Sequence, residues 1–209
     1  IVRRTWILPY NLRPFQKERD DAEGKRKLWI LKPAASSCGR GIKILSKHSS
    51  LPKRGPYVVN EYIMKPHLFN GFKYDLRLYV LVTSFEPLTI YLHQDGLARF
   101  ATQPYTTKNR KSRFAHLTNF SVNKKATNYK KAGTGGEGEE ENFSKWSLKT
   151  LQAAFANEGL NYEEVLARIK DLVIKAVISV EPLLANNLNR ASRNRHLCFE
   201  VFGFDVILD

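Results

Sequence analysis

Lys32 closes a short apolar run, Trp29-Ile-Leu-Lys32, and a loop of small residues follows it, Ala34-Ala-Ser-Ser-Cys-Gly-Arg-Gly41, before a second apolar run ends at Leu45. Small residues let backbone N–H groups approach a ligand closely, and such groups cradle phosphate oxygens. Lys32 and Arg40 add positive charge beside the loop. The spacing is neither the G-x-x-x-x-G-K-[ST] pattern nor a G-x-G-x-x-G opening a helix. On spacing alone, a nucleotide-phosphate grip and an ordinary β-hairpin closed by a glycine turn are both open.

Further along, Lys73-Tyr-Asp-Leu-Arg77 sets Asp75 and Arg77 on one face of a strand. They could pair with each other, or Arg77 could receive an anion such as phosphate, which suits the guanidinium fork. Arg99 is a second cation inside an apolar strand, Gly96-Leu-Ala-Arg-Phe-Ala101. His116-Leu-Thr-Asn-Phe-Ser121 gathers hydrogen-bonding side chains, with His116 more readily structural than catalytic. Asp205 lies in the apolar run Phe202-Gly-Phe-Asp-Val-Ile-Leu208, and Asp205 and Asp209 would share one strand face. A carboxylate there needs a core cation as partner, or a bound metal such as Mg²⁺, which accepts one or two carboxylates together with substrate phosphates. No nucleophile triad and no metal motif built on His or Cys is visible.

These residues need elements to carry them. Strands are expected at 5–8, 28–32, 41–45, 57–62 and 74–83, the last alternating and then continuously apolar. Residues 13–27 are charged, helix or loop, with Gly24 as a stop. Thr89–His93 and Leu97–Thr102 flank Gln94-Asp-Gly96, and Asp-Gly is a hairpin signal, so the middle reads as an antiparallel meander. Residues 133–142, rich in Gly and Glu, read as a surface loop. Helices are expected over about 143–157 and from Asn161, whose Glu164 completes a capping-box-like pair. The apolar stripe of the second helix, from Val165 to Val180, is expected to be core.

The chain has 209 residues, enough for one large domain or two small ones, and is 43% hydrophobic. Its formal net charge is +14, a field that attracts polyanions without choosing among nucleic acid, anionic membrane and acidic polypeptide. Two cysteines, Cys38 and Cys198, make neither a disulfide framework nor a zinc cluster, which suits a reducing compartment. No apolar run approaches the roughly 18–20 residues that span a bilayer, and no signal-peptide pattern opens the chain. The apolar run before Asp209 reads as a strand with nothing after it, and the chain as an excerpt of a longer protein.

Taken in order, these segments resemble the tubulin tyrosine ligase-like family, which has the α/β ATP-grasp fold of mostly antiparallel sheets with flanking helices. The resemblance rests on seven collinear motifs covering nearly the whole chain. They are Trp29-Ile-Leu-Lys-Pro33, Ser36-Ser-Cys-Gly-Arg-Gly-Ile42, Lys73-Tyr-Asp-Leu-Arg-Leu-Tyr-Val80, Gly96-Leu-Ala-Arg-Phe-Ala101, His116-Leu-Thr-Asn-Phe-Ser-Val-Asn-Lys124, Lys145-Trp146 and Phe202-Gly-Phe-Asp205. The fourth and sixth look most like the glutamate-adding branch.

The resemblance implies an ATP- and Mg²⁺-dependent ligase that adds free glutamate to glutamate side chains in the acidic tails of tubulin, through an acyl phosphate. A carboxylate is a poor electrophile, so this chemistry needs a phosphate leaving group and cations against crowded negative charge. By resemblance, Lys32 would contact the ATP phosphates, with Gly39, Arg40, Gly41 and Ile42 folding over them. Asn60, Glu61, Tyr62 and Ile63 would hold adenine largely by backbone, and Lys73 and Asp75 would hold the nucleotide further. Thr118 and Asn119 would lie near it, and Arg77 would steady the transferred phosphoryl group. Arg40, Arg99, Ser121 and Lys145 would grip glutamate carboxylates, and Asp205 would be a Mg²⁺ ligand.

The implied organisation is an N-terminal and central lobe over 1–70 and an incomplete C-terminal lobe over 71–209, with a flexible loop at 123–142. Asn60 stands where relatives often carry glutamine, and residues 133–142 look like an insertion. The family's Glu-x-Asn metal-binding strand would follow Asp209, so the isolated polypeptide is expected to be inactive. Tubulin and microtubules are the implied partners, with no membrane and no nucleic acid, and the chain is expected to be a monomer. The implied setting is the cytoplasmic microtubule cytoskeleton, cilium and basal body included. Glycine or tyrosine as donor, or a basic microtubule- or RNA-binding module without catalysis, are the rival readings.

Overall fold

In Thr5–Leu8 (β1) every second residue, Trp6 and Leu8, is buried, and Trp29–Pro33 (β2) buries Trp29 and Leu31 in the same rhythm. This period of two lays one face of each strand on a core. The computed structural model describes residues 3–22, 24, 26–129, 144–191 and 198–209. The expected loop at 133–142 lies outside them.

The chain divides into two units, the first holding Ile1–Tyr74, Phe100–Ser144 and Leu208–Asp209, the second Asp75–Arg99 and Lys145–Ile207. In the first, β1, β2, Lys43–Leu45 (β3) and Tyr57–Glu61 (β4) form a sheet of order β1-β4-β2-β3, every neighbour antiparallel. Helix Leu12–Asp20 (α1) lays Phe15 on its inner face, 5.2 Å from the Trp6 ring and edge-on to Trp29 at 5.7 Å. Val59 and Leu45 complete this core. Strand Leu68–Phe69 (β5), the start of Phe72–Phe85 (β6) and the short helices Arg113–His116 (α2) and Phe120–Asn123 (α3) complete the unit's described elements. Tyr74 stacks on Phe100 at 5.3 Å.

In the second unit, β6 from Asp75 onward neighbours Leu88–Phe100 (β7), which pairs antiparallel with Lys145–Ser147 (β8). Glu200–Val206 (β9) runs antiparallel to β6, Arg77 opposite Asp205. Its helices among the described residues are Leu148–Asn157 (α4), Tyr162–Ile178 (α5) and Glu181–Ala191 (α6). The Asn161 side chain accepts from the N–H groups of Glu163 and Glu164, the cap its sequence predicts. Mixed α/β with antiparallel sheets and flanking helices is the class the sequence indicates. No helix among the described residues is long and apolar enough to cross a membrane.

Four local expectations change. The Asp95-Gly96 hairpin is absent: β7 runs straight through it, and β6 turns into β7 at Glu86-Pro87. Asp95 Oδ1 instead accepts from Gly96 N–H at 2.7 Å and from Leu148 N–H at 3.1 Å, capping α4. Lys145 and Trp146 lie in β8 rather than in a helix, because Ser147 takes the N-cap position and accepts from Thr150 N–H at 3.1 Å. Of the α5 stripe only Ile169, Val173 and Val177 are buried, and Val180 is exposed past the helix end. Asp209 does not share a strand face with Asp205: β9 stops at Val206, and Asp209 belongs to the first unit, where it pairs with Arg3.

Candidate functional site

In the first unit, β2 and β3 pair antiparallel, so the Lys32 loop does connect a hairpin, but residues 34–42 make it far longer than a glycine turn. Cys38 (φ 60), Gly39 (φ 71) and Gly41 (φ 71) are left-handed, the conformation that turns successive N–H groups into an anion-holding concavity. Arg40 N–H closes a turn on Ser37 O at 3.1 Å. A Cβ on Gly41 would lie 2.7 Å from Pro33 Cγ, so glycine lets the loop fold back onto the end of β2. The loop is fastened from outside: Ser121 Oγ donates to Cys38 O at 3.0 Å and Arg113 Nη2 to Gly39 O at 2.9 Å. Lys32 and Arg40 are exposed, while Ile42 is half-buried. The loop thus sets left-handed backbone beside two exposed cations, a combination chemically suited to an anion.

Lys73 is 3% exposed, its Nζ donating to Tyr62 Oη at 3.3 Å and to His116 O at 3.2 Å, and lying 4.8 Å from the Tyr62 ring centroid. His116 Nε2 lies 3.0 Å from Asn109 O, which can only accept, so Nε2 carries the proton and Nδ1 accepts from Tyr62 Oη at 2.9 Å. Burial pushes the Tyr62 phenol well above its ordinary pKa, reinforced by Tyr105. Burial holds His116 below the ordinary imidazole value; the bond to Asn109 O opposes this and the Lys73 charge adds to it.

Asn60, Glu61, Tyr62 and Ile63 sit at the end of β4. Asn60 Nδ2 donates to Thr5 Oγ1 at 2.7 Å, and the Glu61 carboxylate lies 3.4 Å from Lys27. Glu61 N–H donates to Arg4 O and Tyr62 N–H to Leu28 O, while Ile63 O receives Tyr105 Oη at 3.4 Å. Several backbone groups of the expected adenine strip are thus already engaged. Thr118 and Asn119 are half-buried, with Asn119 Oδ1 packed where a Gly39 Cβ would fall, 3.0 Å away.

The second unit carries an ionic chain. Arg77 grips Asp205 through both oxygens, Nε to Oδ1 at 2.6 Å and Nη2 to Oδ2 at 3.1 Å. Asp205 Oδ1 also receives Arg99 Nη2 at 2.9 Å, and Arg99 holds both oxygens of Asp75, Nε to Oδ1 at 2.9 Å. The Arg99 and Asp75 side chains are 9% and 7% exposed, against 31% for Arg77 and 44% for Asp205. Burial opposes ionisation of Asp205, yet the bond and charge of Arg77 and those of Arg99 outweigh it and hold its carboxyl below the usual range. Burial likewise works against the Arg99 cation, and Asp75 more than offsets it, raising the guanidinium pKa.

Glycines make room for this chain. A Cβ on Gly96 would lie 2.5 Å from Arg77 O, and one on Gly203 would lie 3.3 Å from Arg77 Cδ. Asp75 therefore takes Arg99 rather than Arg77, and the anion held by Arg77 is Asp205. Lys145 stands opposite Arg99 in the β7–β8 ladder. Among the described residues no three His, Cys, Asp or Glu side chains gather. Asp205, with both oxygens in guanidinium bonds, does not by itself fit a magnesium ion.

Sequence reasoning named no role for Arg113 or Asn123. Asn123 is 1% exposed; it accepts from Thr102 N–H and Oγ1 at 3.0 and 2.8 Å and donates to Leu117 O at 2.7 Å. Its presence inside the His116–Lys124 motif was the available signal. Arg113 precedes that motif and nothing local marks it.

The profile described as "Tubulin-tyrosine ligase family" matches residues 1–209. The chain is 43% identical over 210 residues to a mouse protein named tubulin monoglutamylase TTLL4, covering 99% of this chain and 17% of the relative. It is 39% identical over 212 residues to human tubulin polyglutamylase TTLL5, covering 100% of this chain and 16% of the relative. To human tubulin polyglutamylase TTLL7 it is 38% identical over 221 residues, covering 100% and 24%. The chain thus spans between 16% and 24% of the length of these curated relatives.

Proposed function

The chain belongs to the tubulin-tyrosine ligase family, and from that premise we propose that it is the catalytic part of an ATP- and Mg²⁺-dependent ligase that adds glutamate to glutamate side chains in tubulin's acidic tails. The observation that carries the reading is the fastened loop at 36–41, with left-handed residues at 38, 39 and 41 and exposed Lys32 and Arg40 beside it. That these relatives are named tubulin mono- and polyglutamylases supports glutamate as donor over glycine or tyrosine.

In this reading Lys32, Arg40 and the loop hold the phosphates of ATP, which arrives as its magnesium complex. The acceptor carboxylate attacks the γ-phosphorus and ADP leaves. The amine of free glutamate then attacks the resulting acyl phosphate, and inorganic phosphate departs as the amide forms. Tyr62 Oη and the His116 backbone carbonyl hold buried Lys73 beside the adenine strip. In the second unit, Arg77 serves the phosphoryl group only by exchanging the Asp205 carboxylate for it, since the guanidinium fork is already filled. Asp205 becomes a metal ligand only on the same exchange. Ser121 and Arg99, both engaged within the protein, grip glutamate less directly than exposed Arg40 does. Net charge of +14 favours the acidic tail as acceptor, binding more weakly as salt rises. A monomer acting on cytoplasmic, ciliary or basal-body microtubules fits this chemistry.

The test is transfer of labelled glutamate, glycine or tyrosine to tubulin by the full-length protein with Mg-ATP, with Lys32→Ala beside it. Glutamate transfer that Lys32→Ala abolishes supports the reading. Glycine or tyrosine transfer overturns the donor, and tubulin binding without transfer overturns catalysis.

A further inference from the structure

We propose that Arg113 is a positioning residue for nucleotide binding: it fixes the 36–41 loop in the shape that presents Gly39 N–H to phosphate. The inference rests on the reading of that loop as a phosphate grip. A non-glycine residue at φ 60, as Cys38 is, sits in a sparsely populated region and persists only where its surroundings over-determine it. Two bonds do so here, on consecutive carbonyls: Ser121 Oγ to Cys38 O at 3.0 Å and Arg113 Nη2 to Gly39 O at 2.9 Å.

The geometry of the peptide gives those bonds their consequence. In a planar trans peptide the N–H points opposite to the C=O. Drawing Cys38 O toward Ser121 therefore turns Gly39 N–H away from the 113–123 segment. Drawing Gly39 O toward Arg113 fixes the next peptide, whose Arg40 N–H closes the turn on Ser37 O. Gly39 also lacks the Cβ that would meet Asn119 Oδ1 and Val122 Cγ2, each at 3.0 Å, so the loop can lie close on α3.

The mount is itself rigid. Asn123 ties Leu117 O and Asn119 O to Thr102, and His116, in the same turn as Arg113, is held by Tyr62 and Asn109. Arg113 thus couples a fixed platform to a loop whose own sequence of small residues would leave it mobile. A neutral carbonyl is its partner, so its part is to set loop shape, with phosphate attraction left to Lys32 and Arg40.

The experiment uses the full-length protein and measures binding of a fluorescent ATP analogue, then KM and kcat for ATP and glutamate. Arg113→Ala is expected to weaken nucleotide binding and raise KM for ATP about tenfold, the worth of one charged hydrogen bond. The loss should persist at high salt, with KM for glutamate and the unfolding midpoint unchanged. Arg113→Lys keeps the charge but not the guanidinium reach and should stay impaired. Ser121→Ala combined with Arg113→Ala should cost less than the two single losses together, because both anchor one loop. Full rescue by lysine, or a defect that vanishes at high salt, would overturn positioning in favour of direct phosphate contact. Unchanged nucleotide binding in Arg113→Ala, with the unsubstituted protein binding normally, would overturn any role for Arg113. An unsubstituted protein that binds no nucleotide would instead sink the phosphate-grip reading on which the proposal stands.

Discussion

Arg77 and Asp205 stand opposite each other in the β6–β9 ladder, and the guanidinium holds the carboxylate through both oxygens, at 2.6 and 3.1 Å. The two groups read from the sequence as a phosphate binder and a metal binder are each other's counter-ion. Their side chains remain 31% and 44% exposed, so water still screens the pair. Replacing Arg77 with alanine should therefore shift the denaturation midpoint little, while abolishing glutamate transfer. Equal losses of stability and activity would show that the pair is chiefly structural.

Arg99 behaves oppositely. It and Asp75 are buried, and removing the guanidinium strands a carboxylate in the interior. Arg99→Ala should destabilise by about 3 kcal/mol or more, measured by urea unfolding, as expected for a broken buried pair. Charge reversal at Arg99 is consequently no clean probe of donor specificity: an unfolded variant, rather than a change from glutamate to glycine, is the expected outcome. A folded Arg99→Glu protein with altered donor choice would contradict this.

His116 predicts a pH dependence. Its folded pKa lies below the ordinary value, so on acidification the unfolded chain takes up a proton before the folded one does. Stability then falls with falling pH, beginning near about 6.5 and levelling once the folded imidazole also protonates. His116→Gln should flatten that part of the stability profile measured between about pH 7.5 and 5. A profile with the same slope in both proteins would remove His116 from the account.

Gly96 and Gly203 make a paired test of close approach to Arg77. A Gly96 Cβ would meet a backbone oxygen at 2.5 Å, which cannot move without parting strands, whereas a Gly203 Cβ would meet only the Arg77 side chain at 3.3 Å. Gly96→Ala should cost about 1–3 kcal/mol in thermal or urea unfolding, as overpacking does. Gly203→Ala should cost less in stability and show itself in activity through a displaced guanidinium. The reverse ranking would refute the strand-contact argument.

Much of this protein was legible in its residues because the signals are local. Period-two burial in β1 and β2, the Asn161 cap and the Ile169, Val173 and Val177 line of α5, though not the full stripe to Val180, depend on neighbours within a turn or a pleat. The small-residue loop after Lys32 likewise announced itself, since backbone freedom is written in side-chain size. The Asp95-Gly96 signal failed because a carboxylate that a hairpin would use locally found a distant partner in Leu148 N–H. Composition and motif order were enough to point to the family and the class of fold. Which charge meets which could come only from tertiary structure: Asp75 choosing Arg99 over its own strand neighbour, Arg77 meeting Asp205 from a strand 128 residues away, Arg113 reaching Gly39. Ion pairs and loop anchors form between atoms a few ångströms apart in space, and chain folding sets that distance independently of separation along the sequence.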